Sequence, residues 1–139
     1  LDSIQAIVAN HLLKKIDQIT DSRIKNAAEY DKQLSNIPQI TIPNRSTFVK
    51  QVYHIYVVRA KRRNELKKYL NQNGIDAKVH YPIPMHLQPA AKKFGYKKGD
   101  FPVSEMVCDT VISMPVHEFV TNGQIDYVVS KIRDFYAHS

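Results

Sequence analysis

Apolar residues at Ile4, Ile7, Val8, Leu12, Ile16 and Ile19 recur every three or four positions, the spacing of one face of an α-helix. Ala27, Ala28 and Leu34 extend the stripe, so the pattern predicts one long helix over residues 3 to about 34, with Thr20-Asp21-Ser22 as an irregular point. Such a helix runs roughly 45 Å, longer than a small domain is wide. That length suits a helix that bridges two domains or packs on a partner chain; the alternative is a helix wrapped along its own domain.

Pro38 and Pro43 interrupt the pattern, and Asn44-Arg45-Ser46-Thr47 reads as loop. From Val52 to Val58 the residues are mostly β-branched or aromatic, which predicts a strand. Arg62 to Asn73 reads as a short helix with Leu66, Tyr69 and Leu70 on one face, ended by Gly74 where a left-handed cap is needed. A second strand is predicted over Ile75 to Tyr81. Pro82, Pro84 and Pro89 stiffen the following connection, since each fixes φ and removes a donor. Pro102 suits the start of a helix reaching about Asp109, and Val111 to Met114 reads as a strand stopped by Pro115. In the last helix Thr121 and Gln124 form a capping box before the stripe Ile125, Val128, Val129, Ile132 and Phe135. Helices and short strands mix without βαβ alternation, so the expected fold class is α+β: a long N-terminal helix plus a small few-stranded sheet with flanking helices.

Composition narrows the picture. The 139 residues, 43% hydrophobic and 24% charged, match one globular domain with enough apolar material for a core. No apolar run suits a membrane span and no segment resembles a signal peptide. The chain opens on Leu1-Asp2-Ser3 already in helical pattern and without Met, so an absent upstream domain is expected. A lone thiol, Cys108, excludes an internal disulfide and fits a reducing cytoplasm; its apolar neighbours Met106, Val107 and Val111 suit a buried, inert side chain. The net charge of +7 is either a solvated surface or an attraction to polyanions such as nucleic acid, phosphates or nucleotide sugars.

The densest polar cluster is His80-Tyr81-Pro82-Ile83-Pro84-Met85-His86-Leu87-Gln88-Pro89. Two imidazoles, a phenol and an amide on a proline-stiffened loop suit recognition of a hydroxyl-rich ligand, or else serve the structure. His80 and His86 are six positions apart with no Asp, Glu or Cys at ligand spacing nearby, so no metal site is expected. His54, within Tyr53-His54-Ile55-Tyr56, is read first as a packing residue. Lys92 to Gly99 interleaves basic and aromatic residues like a weak single-strand nucleic-acid patch, or like a solvated face. Lys61-Arg62-Arg63 reads as helix surface. There is no phosphate loop, glycine-rich nucleotide fingerprint or Ser-His-Asp order.

Leu1-Asp2-Ser3-Ile4-Gln5-Ala6 resembles the LDxxQAA start of the interdomain helix in DegT/StrS-type nucleotide-sugar aminotransferases, and Arg23, Ala27 and Tyr30 resemble that family's RxxxAxxY. His54-Ile55-Tyr56 resembles its HxY strand, and Gly74-Ile75 with the loop from His80 to Pro89 resembles its most distinctive segment. Gly95-Tyr96, Asp100-Phe101-Pro102, Glu105, Ser113-Met114-Pro115 and Gln124 continue in register, while His117-Glu118-Phe119 departs from the family pattern, in which many relatives have a proline after the His.

The resemblance implies that residues 1–139 are a single C-terminal small domain of a fold-type I pyridoxal phosphate (PLP) enzyme, residues 1–35 being the interdomain helix. The parent would be a cytoplasmic homodimer. It would move an amino group, typically from glutamate, to a nucleotide-linked keto sugar, in cell-surface polysaccharide or related sugar biosynthesis. The cofactor lysine would lie in the upstream domain, so no catalytic residue and no bound PLP are expected in this chain, and the chain alone is expected to be inactive. His80, Tyr81 and His86 would line the sugar side of the site, with His54, Tyr56 and Gln88 supporting. The competing readings are a basic nucleic-acid-binding module, a structural dimerisation domain, or a lysine-less regulatory or dehydratase relative.

Overall fold

The computed structural model describes residues 2–137; Leu1, His138 and Ser139, and with Leu1 the first position of the LDxxQAA series, lie outside the described residues. The N-terminal helical region is two helices, α1 (Ser3–Leu13) and α2 (Ile16–Leu34). The long single helix expected from the periodicity is therefore broken, at Lys14 and Lys15 and not at Thr20-Asp21-Ser22. Lys15 takes φ −115 and ψ 4, outside the helical well, while its N–H bonds back to Leu12. The Asp2 carboxylate accepts the Gln5 N–H and the Gln5 side chain returns to the Asp2 N–H, so the Asp-x-x-Gln of the first motif is a capping box.

Three short strands form one antiparallel sheet in the order β1 (Ile40–Thr41), β2 (Tyr56–Ala60), β3 (Val111–Met114). Ile40 faces Ala60, and Val58 faces Ile112. The two-residue β1 lies in a segment read as irregular, because its flanking prolines hide it. Strand β2 starts at Tyr56, four residues later than expected. Tyr53 has a left-handed φ of 50, and the Arg23 guanidinium takes the carbonyls of Tyr53 and His54. Those carbonyls are thereby withdrawn from any ladder. The strand expected over Ile75–Tyr81 is a single bridge, in which Lys78 exchanges both backbone bonds with Ser113. Its neighbour Ala77 spends its N–H on Ile75 and the Asn71 side chain, and Pro82 has no N–H to continue.

Helix α3 (Arg63–Gln72) ends in a Schellman motif: Ile75 N–H reaches Leu70 O, Gly74 N–H reaches Asn71 O, and Gly74 adopts φ 76. Helix α4 (Pro102–Thr110) leads directly into β3, and α5 (Asn122–Ala137) closes the chain. Inward residues of β2 (Tyr56, Val58, Ala60) meet Ala27, Tyr30 and Leu34 of α2, Leu66 and Leu70 of α3, and Ile125, Val129 and Ile132 of α5. Arg59, pointing the other way from β2, contacts Met106 of α4. Arg63 is a correction to the expected basic surface: it is buried and donates to the Val111 carbonyl at 2.8 Å, while Lys61 and Arg62 are exposed. Helix α1 buries no residue. Cys108 is half-buried and unpaired, and no helix among the described residues is long and apolar enough to cross a membrane.

Candidate functional site

A cleft of about 540 Å³ opens where α2, the segment before β2, the end of β3 and the start of α5 meet. His54, His80 and His117 line it, with Arg23, Ser113 and Gln124 among their neighbours. Three chain-distant imidazoles converge here, two of them, His54 and His117, with their backbones held by α2. Arg23 donates to the carbonyl of His54 at 3.2 Å and forms an ion pair with Glu118 at 3.3 Å. Asn26, one turn further, donates to the His117 carbonyl at 3.0 Å. The same helical face then presents Ala27, fully buried, and Tyr30, stacked on Tyr56. The spacing of the Arg23, Ala27 and Tyr30 motif is thus one helix stripe that grips the chain at His54 and Tyr56.

His80 sits on the cleft wall with Nδ1 3.0 Å from Ser113 Oγ, and the neighbouring Lys78–Ser113 bridge fixes the backbone beneath it. That contact leaves Nε2 as the ring nitrogen with no partner among the described residues. Tyr81 follows with 73% of its surface exposed, placing a phenol in the open beside the cleft.

His86 points elsewhere. Its Nε2 lies 3.0 Å from Glu105 Oε1, with side-chain exposures of 7% and 13%, and its ring packs on Phe101. Glu105 also accepts the Gly99 N–H, and that bond first, then His86, hold its carboxyl below the usual carboxylate range. With the carboxylate accepting, the His86 proton sits on Nε2. His86 therefore pins the proline loop to the start of α4. Gln88 reaches back to the Ile83 carbonyl at 3.4 Å and braces the same loop.

Tyr56 is fully buried, its hydroxyl donating to Asp31 at 2.7 Å, and Arg45 pairs with the same carboxylate while its guanidinium lies over the Tyr53 and Tyr56 rings. The six residues singled out in the sequence thus separate into groups. His80 and His54 meet at the cleft, Tyr81 is open to solvent beside it, His86 and Gln88 hold the loop, and Tyr56 belongs to the core. Arg23, Ser113 and His117 complete the cleft and were noted in the sequence only as members of motifs. For Arg23 the signal was the helix spacing with Ala27 and Tyr30, which puts a cation at the end of an apolar stripe.

Comparison with known proteins bears on this arrangement. The model of the DegT/DnrJ/EryC1/StrS aminotransferase family matches residues 1–133. The chain is 35% identical over 140 residues to a pleiotropic regulatory protein of Geobacillus stearothermophilus, covering 99% of this chain and 38% of that protein. It is 33% identical over 135 residues to the dTDP-3-amino-3,4,6-trideoxy-alpha-D-glucose transaminase of Streptomyces venezuelae, covering 97% and 36%. Among solved structures, S. venezuelae DesV superposes with a TM-score of 0.92 at 33% identity, covering 97% of this chain and 36% of that one. A DegT DnrJ EryC1 StrS aminotransferase from Brucella abortus gives 0.88 at 28% identity, covering 97% and 36%. The chain spans little more than a third of the length of these relatives.

Proposed function

This chain belongs to the DegT/DnrJ/EryC1/StrS aminotransferase family, and from that membership we propose that it is the C-terminal small domain of a PLP-dependent sugar aminotransferase. The parent transfers an amino group from glutamate to a keto sugar carried on a nucleotide, in polysaccharide or related sugar biosynthesis. It works as a cytoplasmic homodimer. The observation that carries the reading is the family match over residues 1–133 coinciding with a cleft on which His80 and His54 converge.

The residues of this chain fit a wall of the active site and do not fit a cradle for the cofactor. Lys78, the lysine on the cleft wall, is largely exposed and paired with Asp76 at 2.8 Å. A cofactor lysine requires a desolvated, depressed-pKa amine. The start of α5 borders the cleft, and there the Thr121 hydroxyl already accepts the Gln124 N–H. PLP, held by the larger domain, supplies the electron sink for the transfer. This chain supplies orientation. His80 and Tyr81 hydrogen-bond the sugar, His86 and Gln88 keep their loop rigid, and His54 and Tyr56 support the cleft through α2.

The name of the Geobacillus relative favours a second reading, in which the parent lacks the cofactor lysine and acts as a regulator. One assay decides. Parent enzyme with glutamate and dTDP- or UDP-linked keto sugars should yield amino sugar and 2-oxoglutarate in equal amounts by mass spectrometry. Absence of amino sugar with every keto sugar tried, from a folded and PLP-saturated parent, would overturn the transaminase reading.

A further inference from the structure

Strand β3 carries a single polar side chain, Ser113, between Ile112 and Met114. Those two neighbours belong to the core, so by strand alternation Ser113 projects from the opposite face, where it is still buried. Its backbone is already spent: Ser113 N–H reaches the Lys78 carbonyl at 2.8 Å, and Lys78 N–H reaches the Ser113 carbonyl at 3.1 Å. Its hydroxyl lies 3.0 Å from His80 Nδ1 and makes no other hydrogen bond among the described residues.

Two proton arrangements fit such a contact. With the proton on Nδ1, the ring donates to Ser113 Oγ, and the buried hydroxyl proton is left without an acceptor. A buried donor without a partner costs its full desolvation. With the hydroxyl donating to Nδ1, that cost disappears and the ring proton resides on Nε2. The second arrangement is therefore the favoured one, and Nε2 is the nitrogen at the cleft.

The two histidines of the proline loop are thus oriented by different chemistry. His86 donates to the Glu105 carboxylate. His80 has no carboxylate partner among the described residues, and Asp76 on the cleft wall is paired with Lys78 at 2.8 Å. A hydroxyl fixes the tautomer and brings no charge to the cleft.

We propose that Ser113 is a positioning residue that holds His80 in its Nε2–H tautomer, so that the imidazole serves the cleft as a hydrogen-bond donor to an oxygen lone pair of the sugar and not as a proton acceptor. This role rests on reading the cleft as the sugar side of a transaminase site, and it adds which partner of the hydrogen bond the protein supplies.

The test uses the full-length parent, isotope-labelled in histidine, with Ser113→Ala, Ser113→Thr, His80→Gln and His80→Ala. The His80 ring signals are identified by their loss in His80→Gln, and carbon and nitrogen shifts of the ring report the tautomer. Wild type should show Nε2–H. Ser113→Ala should move the His80 signals toward a mixture of tautomers, and Ser113→Thr, which keeps the hydroxyl, should restore them. In turnover, Ser113→Ala should lower kcat/KM for the nucleotide sugar about three- to tenfold, with the glutamate half-reaction changed less than about twofold. His80→Gln, which keeps an N–H donor at similar reach, should retain more sugar turnover than His80→Ala. Thermal melts of each variant separate these effects from loss of fold. An Nδ1–H signal in wild type, His80 signals unmoved by Ser113→Ala, equal losses in both half-reactions, or His80→Gln no better than His80→Ala would overturn the proposal. The wild-type tautomer is read without turnover. A parent that makes no amino sugar yet shows Nε2–H keeps the Ser113 role and removes the transaminase, while an active parent showing Nδ1–H does the reverse.

Discussion

Tyr30 and Tyr56 stack with ring centroids 4.8 Å apart and planes 21° from parallel, yet among the described residues only the Tyr56 hydroxyl of the two finds a partner. Tyr56 donates to Asp31, whose carboxylate also holds Arg45. The Tyr30 hydroxyl is buried without a partner among the described residues. Burial, the larger cause, pushes both phenols well above their ordinary pKa, so both remain neutral. A satisfied buried hydroxyl stabilises, and an unsatisfied one costs its desolvation. Tyr56→Phe should therefore lower stability by about 1–1.5 kcal/mol, while Tyr30→Phe should leave it unchanged or raise it by up to about 1 kcal/mol. Urea melts of both variants check this; the same loss in both would show that the Tyr30 hydroxyl is bonded in solution.

The link from His86 to Glu105 predicts an acid sensitivity with a definite sign. The Gly99 N–H, and then His86, hold the folded-state pKa of Glu105 below its ordinary value. A carboxyl depressed in the folded state contributes stability that is fully present above its unfolded pKa, about 4.3. That contribution is lost as pH falls through the lower folded value. Glu105→Gln should thus be less stable than wild type near about pH 7 and approach it near about pH 3. Denaturation midpoints across that range are the measurement, and a gap that stays constant with pH would mean Glu105 is not the titrating group.

Much of this fold was legible because its strongest signals are local. The capping box at Thr121, the αL glycine at Gly74 and the strand ended by Pro115 all appear where the sequence puts them. The misread segments are those decided by distant partners. Only the folded chain brings Arg23 against the carbonyls of Tyr53 and His54, and that is what delays β2. The break at Lys14-Lys15 escaped because the apolar spacing runs through it unbroken. For the site, the polar loop was recognisable as a unit, but composition alone could not separate His80 on the cleft from His86 against Glu105. That division depends on α4, which is reached only after a further segment of chain.

Thr121 caps α5 reciprocally: Gln124 N–H reaches its hydroxyl at 3.3 Å, and its own N–H reaches Gln124 Oε1 at 2.9 Å. Removing the hydroxyl takes away the side-chain acceptor, while the Gln124 N–H keeps the Thr121 carbonyl at 3.0 Å and the returning bond persists. Thr121→Ala should cost about 1 kcal/mol, read as a lower denaturation midpoint at unchanged m-value. An unmoved midpoint would show that water replaces the cap at no loss.

Helix α1 leaves Ile4 75% and Ile7 69% exposed, and no residue of it is buried. An apolar stripe of this kind is covered by another surface in a stable assembly. The isolated chain should therefore self-associate with rising concentration, and Ile4→Lys together with Ile7→Lys should return it to a monomer in sedimentation velocity. A wild-type chain that stays monomeric at high concentration would contradict this.

The two loop histidines provide the most direct separation of binding from support. His80 spends Nδ1 on Ser113 and keeps Nε2 at the cleft, whereas His86 is enclosed between Glu105 and Phe101. His80→Ala in the parent should leave folding and the PLP absorbance intact and lower turnover of the nucleotide sugar about tenfold to a hundredfold, the range for losing one well-placed hydrogen bond. The glutamate half-reaction should suffer less, because that substrate carries neither sugar nor nucleotide. His86→Ala should act first on structure, opening a gap beside Phe101 and lowering stability by about 1–3 kcal/mol, with any loss of turnover following the loosened loop. Stability and both half-reactions measured side by side give the answer. If His80→Ala retains full sugar turnover and Tyr81→Phe in the same background does too, the loop is structural and the sugar is held elsewhere. If His86→Ala is fully stable yet inactive, His86 touches substrate and its contact with Glu105 yields when the site is filled.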